Sequence, residues 1–388
     1  MKVHARIITD YKRLSEGRAE LDAFLKENSP NPFLFLSFIE NLMRSNATKD
    51  QVPVVIVVRN KTGIIGVAPL ALRSYFGIRY AELMNDYWAS PDFVLRKGYE
   101  HVALETAVEA VFGNLKARFV VFDLNEESRS IPTLIRLCRE RGIPYFEHSH
   151  AYMTHGVVKV DRPWHEYKRS CGHHLPKDLR SVKNRLDRAG KWKLVAVEGC
   201  EEGSEGELYQ RLQLVEKSSW KEHYRHLTSQ AVDESIRWFL DSSASADECG
   251  SILKRKVWFL EMEGRPIAYV LVFQHGDTAY IMKTSFDERY RKTGAGKYAM
   301  YAAMRDLFDA NEVREIDFMT NLPMVRFWRA DLRKRIRLRM GSKVIVSLAE
   351  ARSILREGAS RLGNGSRGAF FAPTARTQLA EATKDGHA

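Results

Sequence analysis

Cysteine is scarce and scattered. Cys138, Cys171, Cys200 and Cys249 are the four in the chain, with no C-x-x-C spacing and no matching histidine pair. The sequence therefore offers neither a zinc site nor a disulfide framework. His173 and His174 stand near Cys171, but adjacent histidines cannot easily share one metal at helical spacing, so they read as solvated polar residues. Long apolar runs are equally absent. None reaches the length of a membrane span, and Met1 to Asp10 holds no apolar core of a secretion signal, so a reducing cytoplasm is expected. What is present is ordinary for a globular protein: 44% hydrophobic and 28% charged residues, which excludes a disordered chain. A length of 388 residues suits two compact domains or one fused double domain. The net charge of +12 suits an anionic partner such as a CoA phosphate, a nucleotide sugar, tRNA or a membrane face, without choosing among them.

The same building plan occurs twice. Val54 to Leu70 reads as a hairpin, two β-branched runs around an Asn-Lys-Thr-Gly turn, and Val257 to Phe273 reads as another with Gly264 at its turn. After the first come a strand near Tyr80–Met84, a helix near His101–Lys116 and a strand at Phe119–Asp123. After the second come a strand at Ala279–Lys283, a helix near Gly296–Phe308 and a strand at Val313–Phe318. Hairpin, strand, helix, strand, twice over, argues for an internal duplication. Helices at Tyr11–Asn28 and Phe35–Arg44 lead the first copy. Around the second are helices at Leu175–Arg188, Glu207–Lys221 and Ala231–Leu240, with a strand at Lys193–Val197. The expected division is 1–155 for a first domain, 156–345 for a second, and 346–388 for a short helix with a Gly- and Ser-rich, disordered tail.

Arg291-Lys-Thr-Gly294-Ala-Gly296 lies between a predicted strand and an amphipathic helix. Two glycines at such a turn let the backbone approach a diphosphate, and the N–H groups opening the helix point at it while its dipole favours negative charge. Lys292 and Lys297 add positive charge. Two other readings compete: a glycine turn without a ligand, and a Rossmann site. The latter lacks its third glycine, because Ala299 stands in that place, and it does not open with a hairpin.

On these residues the chain resembles the GNAT acetyltransferase superfamily, whose acyl-CoA-binding motif is R-x-x-G-x-G after a strand. From about His174 to Leu338 it is similar to the CelD-like branch, relatives of the FemAB peptidyltransferases that carry two GNAT-like domains. Supporting segments are Lys177–Leu186, Ser218–Lys221, Gly264–Ala268 and Tyr280–Asp287, with Asn31–Phe38 and Gly66–Leu70 resembling the first domain. The resemblance implies an α/β (α+β mixed) fold, two fused GNAT-like domains, each a twisted mixed sheet flanked by helices. It also implies an acyltransferase using acetyl-CoA or another acyl-CoA as co-substrate, with no metal. The first copy keeps only Gly98 at the equivalent turn, so the cofactor belongs to the second, at Arg291, Lys292, Thr293, Gly294, Ala295, Gly296 and Lys297.

The implied mechanism is direct attack on the thioester by an amine or hydroxyl of a small or cell-envelope-related acceptor. Backbone N–H groups of Ala279–Lys283 would meet the oxyanion. Catalytic candidates are Asp317 at a strand end, Asp287 before the phosphate turn, Tyr280 as a donor to the thiolate, and Lys283, which resembles a lysine common in the CelD-like branch. Asp287 serves equally well as a helix cap. Strict alternation would put Tyr280, Met282 and Thr284 on one face and Ile281, Lys283 and Ser285 on the other, making Tyr280 and Lys283 rivals. Trp220, Asp86, Tyr87 and Trp88 are acceptor-binding candidates, with Asp92 beside them; core packing explains them as well. Arg335-Ile-Arg-Leu-Arg-Met340 reads as a half-buried edge strand. The alternatives are a FemAB-type transferase using charged tRNA and a non-catalytic ligand-binding module.

Overall fold

A computed structural model of the chain describes residues 2–45, 51–75, 77–84, 91–172, 174–199, 206–219, 236–237, 239–244, 252–348 and 351. Trp220, Asp86, Tyr87, Trp88 and nearly all of the predicted tail lie outside the described residues. The helix expected at Tyr11–Asn28 is broken by Gly17 at φ +81: a 3₁₀ turn at Tyr11–Ser15 precedes α1 (Arg18–Asn28). The first half then runs on through α2 (Leu36–Ser45), β2 (Gln51–Asn60), β3 (Gly63–Tyr75), β4 (Ile78–Leu83), β5 (Val94–Leu95), α3 (Glu100–Gly113), β6 (Phe119–Asn125) and α4 (Ser130–Glu140), with β1 (His4–Ile8) at its start. The long β7 (Tyr145–Lys159) follows, then α5 (Trp164–Ser170), α6 (His174–Ala189), β8 (Trp192–Glu198) and α7 (Glu207–Lys217). The second hairpin is β9 (Leu253–Met262) and β10 (Arg265–His275), followed by β11 (Thr278–Phe286), α8 (Ala295–Ala310), β12 (Glu315–Asp317), α9 (Pro323–Phe327) and β13 (Asp331–Gly341).

Turn chemistry sets the hairpins. Glu263 and Gly264 both have positive φ, at 49° and 77°, the two-residue turn whose twist matches its strands. In the first hairpin Asn60 Oδ1 accepts from the Thr62 N–H and hydroxyl, closing the turn locally. Each hairpin leads into an antiparallel third strand, and that strand runs parallel to the one after the helix: β4 beside β6, β11 beside β12. A parallel pair needs a crossover, and α3 and α8 supply it.

Among the described residues the strands form one thirteen-stranded sheet, in the order β1-β2-β3-β4-β6-β13-β7-β12-β11-β10-β9-β8 with β5 on β3. The two halves exchange their last strands. β13, the end of the second half, pairs with β6 of the first, and β7 pairs with both β13 and β12. The expected boundary at 155/156 falls inside β7. β13 is central, so its reading as an edge strand is corrected. Two of its arginines are neutralised by neighbouring strands rather than by water: Arg337 grips Asp123 through two bonds of 2.7 Å, and Arg333 meets Glu315 at 3.0 Å. Four clusters of buried side chains cover the two faces of each half. α3 and α4 pack on one face of the first half, and α1 and α2 on the other. In the second half, α5, α6 and α8 cover one face, and α7 the other. Phe33, Phe35 and Phe38, although from the first half, are buried in the α7-face cluster of the second.

Candidate active site

β11 and β12 pair over only three residues, Thr278–Tyr280 against Glu315–Asp317. β12 stops at Asp317 while β11 continues to Phe286, so beyond Tyr280 the sheet splits and that edge of β11 has no strand partner among the described residues. An unpaired edge inside a sheet presents backbone donors and acceptors to whatever enters the gap.

The predicted phosphate turn stands at the end of this gap. Residues Glu288–Thr293 form a 3₁₀ turn, and Gly294 at φ +81 is the N-cap of α8 with no side chain capping the first helical turn. Its N–H groups are thus open to an anion. Gly294 is required by its left-handed backbone and by Val182 of α6, whose methyl would lie 3.0 Å from an added Cβ; Gly296 is required because a Cβ would meet the Phe286 ring at 2.9 Å. Arg291 is exposed and bonded to Glu288 at 2.7 Å, Lys297 reaches Asp178 at 3.2 Å, and Arg185 of α6 reaches the Thr293 carbonyl at 3.3 Å. Lys292 is exposed, and the Thr293 hydroxyl is turned back onto the Tyr290 carbonyl at 2.7 Å. In the first half the corresponding position is filled from within: Glu100 at the start of α3 accepts the Gly98 N–H at 2.8 Å.

A bulge settles the rivalry between Tyr280 and Lys283. The register of β10 against β11 shifts at Met282, so Leu271 opposes Lys283 and Phe273 opposes Tyr280. Opposed residues share a face. Leu271 and Phe273 both belong to the α7-face cluster, so Tyr280 and Lys283 project to the same side, and strict alternation is overturned by one extra residue. Tyr280 is buried, and burial together with the neighbouring Asp317 raises its phenol well above the ordinary value, so it stays a neutral hydrogen-bond donor. Phe33 sits edge-on against it at 5.2 Å. Ser285 shares this face, opposite Tyr269; its hydroxyl is buried and has no hydrogen-bond partner among the described residues.

Asp317 is buried at the end of β12. Its Oδ1 accepts the Met319 N–H at 2.7 Å and lies 2.8 Å from Nδ1 of His155, on β7. No sequence signal pointed to His155. It is remote in the chain, and only the exchange of β7 brings it beside β12. Asp287 is engaged elsewhere. Its carboxylate caps the 3₁₀ turn through the Arg289 N–H at 3.0 Å and pairs with the Arg289 guanidinium at 2.5 Å. Burial pushes this carboxyl up, but the bonds from Arg289 outweigh that and hold it below the ordinary carboxylate value. Asp92 is likewise tied up. It accepts from the Ser130 hydroxyl at 2.8 Å and the Phe93 N–H at 2.7 Å, anchoring the start of α4.

Among the described residues no group of three or more His, Cys, Asp or Glu side chains is arranged to hold a metal, and no helix is long and apolar enough to cross a membrane. A surface groove of about 720 Å³ lies at the opposite end of β12, lined by Lys159, Asp277, Arg314 and Glu315 among others, away from the split in the sheet.

Residues 174–323 match the acetyltransferase (GNAT) domain family. No functionally curated protein matches the chain. Among solved structures, the chain is similar to the C-terminal DUF2156 domain of a lysylphosphatidylglycerol synthetase candidate from Agrobacterium fabrum, with 14% identity, TM-score 0.52, and 92% of this chain and 99% of that one covered. It is also similar to FemX, with 12% identity, TM-score 0.51, and 87% and 97% covered. A tandem GNAT protein from the clavulanic acid biosynthesis pathway aligns at 14% identity and TM-score 0.43, with 88% and 98% covered. At such identities the likeness concerns the fold. Two fused halves, each with a parallel strand pair joined through a helix, give the chain a fold shared with these structures.

Proposed function

We propose that the protein transfers an acyl group, most simply acetyl, from acyl-CoA to an amine or hydroxyl of a small or cell-envelope-related acceptor. The observation that carries this reading is the uncapped first turn of α8, opened by Gly294 and flanked by Arg291, Lys292, Lys297 and Arg185, at the end of the gap where β11 leaves β12. A diphosphate held there lets a pantetheine arm run along the free edge of β11, bringing a thioester toward Tyr280 and Lys283 on the α7 face. Strand N–H groups on that edge are suited to stabilising the developing oxyanion, because they are fixed before the reaction begins. The filled turn at Glu100 supports a single cofactor site, in the second half.

Calorimetry with CoA tests this. Arg291→Ala combined with Lys292→Ala removes two exposed charges without altering a packed residue, and is expected to weaken CoA at least about tenfold, or about 1.4 kcal/mol. Unchanged affinity would remove the turn from the site. A second reading, transfer of an aminoacyl group from tRNA, is favoured by the FemX-like fold and by the basic face of α6 beside the turn. Tight, salt-sensitive tRNA binding without any CoA binding would support it instead.

A further inference from the structure

Two buried side chains on different strands form a pair that the cofactor turn does not explain. His155 Nδ1 lies 2.8 Å from Asp317 Oδ1, with the side chains only 3% and 4% exposed. A carboxylate oxygen accepts, so the ring donates from Nδ1, and the neutral imidazole carries its lone pair on Nε2. That Nε2 is buried and has no hydrogen-bond partner among the described residues. Leaving a buried acceptor unsatisfied destabilises a fold, which tolerates it where a ligand or substrate completes the contact. The surroundings are held firmly. Met319, two residues after Asp317, sits at φ 54, a left-handed backbone that a non-glycine residue adopts only at a cost. Gly156, next to His155, leaves no space for a side chain, since a Cβ would lie 1.9 Å from Val325. The face is also the right one. Ile316 packs on the α8 side of the sheet, so Asp317 projects to the α7 side, where Tyr280 and Lys283 stand.

We propose that His155 is the general base of the transfer and that Asp317 positions it, an assignment that rests on the acyl-transfer reading above. As the acceptor N–H or O–H attacks the thioester carbonyl, a C–N or C–O bond forms and the acceptor proton passes to Nε2. The oxyanion then collapses and the C–S bond breaks. The imidazolium returns the proton to the departing CoA thiolate, so the acyl group and one proton exchange places and nothing else is consumed. Asp317 stabilises the imidazolium and keeps Nε2 as the basic nitrogen. The charged and titratable groups around the ring are Tyr280 on β11, Glu315 and Asp317 on β12, and Arg333, paired opposite His155, and Arg335 on β13.

Long-range proton–nitrogen NMR on the full chain labelled with ¹⁵N-histidine reads the tautomer directly, with His155→Gln fixing the assignment. The Nδ1–H form is expected, and its loss in Asp317→Ala; an Nε2–H tautomer in the wild type overturns the proposal. This measurement needs no acceptor. In parallel, acetyl-CoA hydrolysis by the enzyme is followed as thiol release, with CoA affinity by calorimetry. His155→Gln is expected to lower kcat about a hundredfold while CoA affinity stays within twofold, and Asp317→Asn to displace the acidic limb of the pH profile. Full hydrolysis in His155→Gln overturns the dyad and leaves acyl-CoA chemistry standing. A wild type that binds no CoA overturns the acyl-transfer reading itself.

Discussion

Asp287 and Asp317 are both buried carboxylates at strand ends, and their partners separate their roles. Asp287 is bound to Arg289 and a backbone N–H, a cap for the turn that carries Arg291. Its carboxyl titrates below the ordinary value of 3.8 in the folded protein, so its contribution is fully present above that pH and is lost as pH falls through the lowered value. Asp287→Ala is therefore expected to cost about 1 kcal/mol at pH 7, the usual worth of an N-cap. Denaturation midpoints measured from pH 7 downward should show the gap from wild type closing below pH 3.8; a constant gap would rule out the charge as the cause. Among the described residues Asp317 makes no ion pair with lysine or arginine and instead holds an imidazole ring. At this scale the sequence offered both carboxylates as candidates, but did not show which of them is already occupied.

Among the elements, β11 and β13 each depart from what their residues suggest alone. Alternation is a good rule for a strand until a bulge adds a residue, and the bulge at Met282 leaves no composition signal because Tyr-Ile-Met-Lys-Thr is uniformly strand-like. β13 alternates arginine with Ile336, Leu338 and Met340, a pattern that suits an edge facing water. It also suits a central strand whose arginines find carboxylates across the ladder, and Arg337 with Asp123 does so in two-pronged geometry. Asp123→Ala strands the half-buried Arg337 and is expected to cost about 2–3 kcal/mol, somewhat less than for a fully buried pair. Replacing both partners, Asp123→Val with Arg337→Met, should recover much of that loss. A double variant as unstable as the single one would mean that the pair contributes little beyond packing.

For the whole molecule, the exchange of β7 and β13 makes one folding unit of two similar halves. Without residues 331–341, β6 and β7 lose the strand between them, and without β7, β12 has only the short β11 ladder. Heat or urea should unfold the described core in one transition. A fragment ending at residue 155 should show none of the cooperative unfolding of an independent domain, because its sheet edge at β6 is exposed over seven residues. A well-folded, cooperatively melting fragment would show that the exchanged strand is dispensable. The same exchange brings the proposed dyad together, since His155 comes from β7 and Asp317 from β12.

Local chemistry was enough to determine the repeated hairpin–strand–helix–strand plan, the glycine turn at Arg291–Gly296 and its preference for the second half. Each of these depends on neighbours in sequence: β-branched runs, turn residues, and a helix that opens at a glycine. Three things were decided only by tertiary structure. They are which strand lies at the centre of the sheet, which face Lys283 takes, and that His155 meets Asp317. All three depend on pairing between strands far apart in the chain, where register and partner are chosen by burial and by ladder hydrogen bonds, and no short stretch of sequence records that choice.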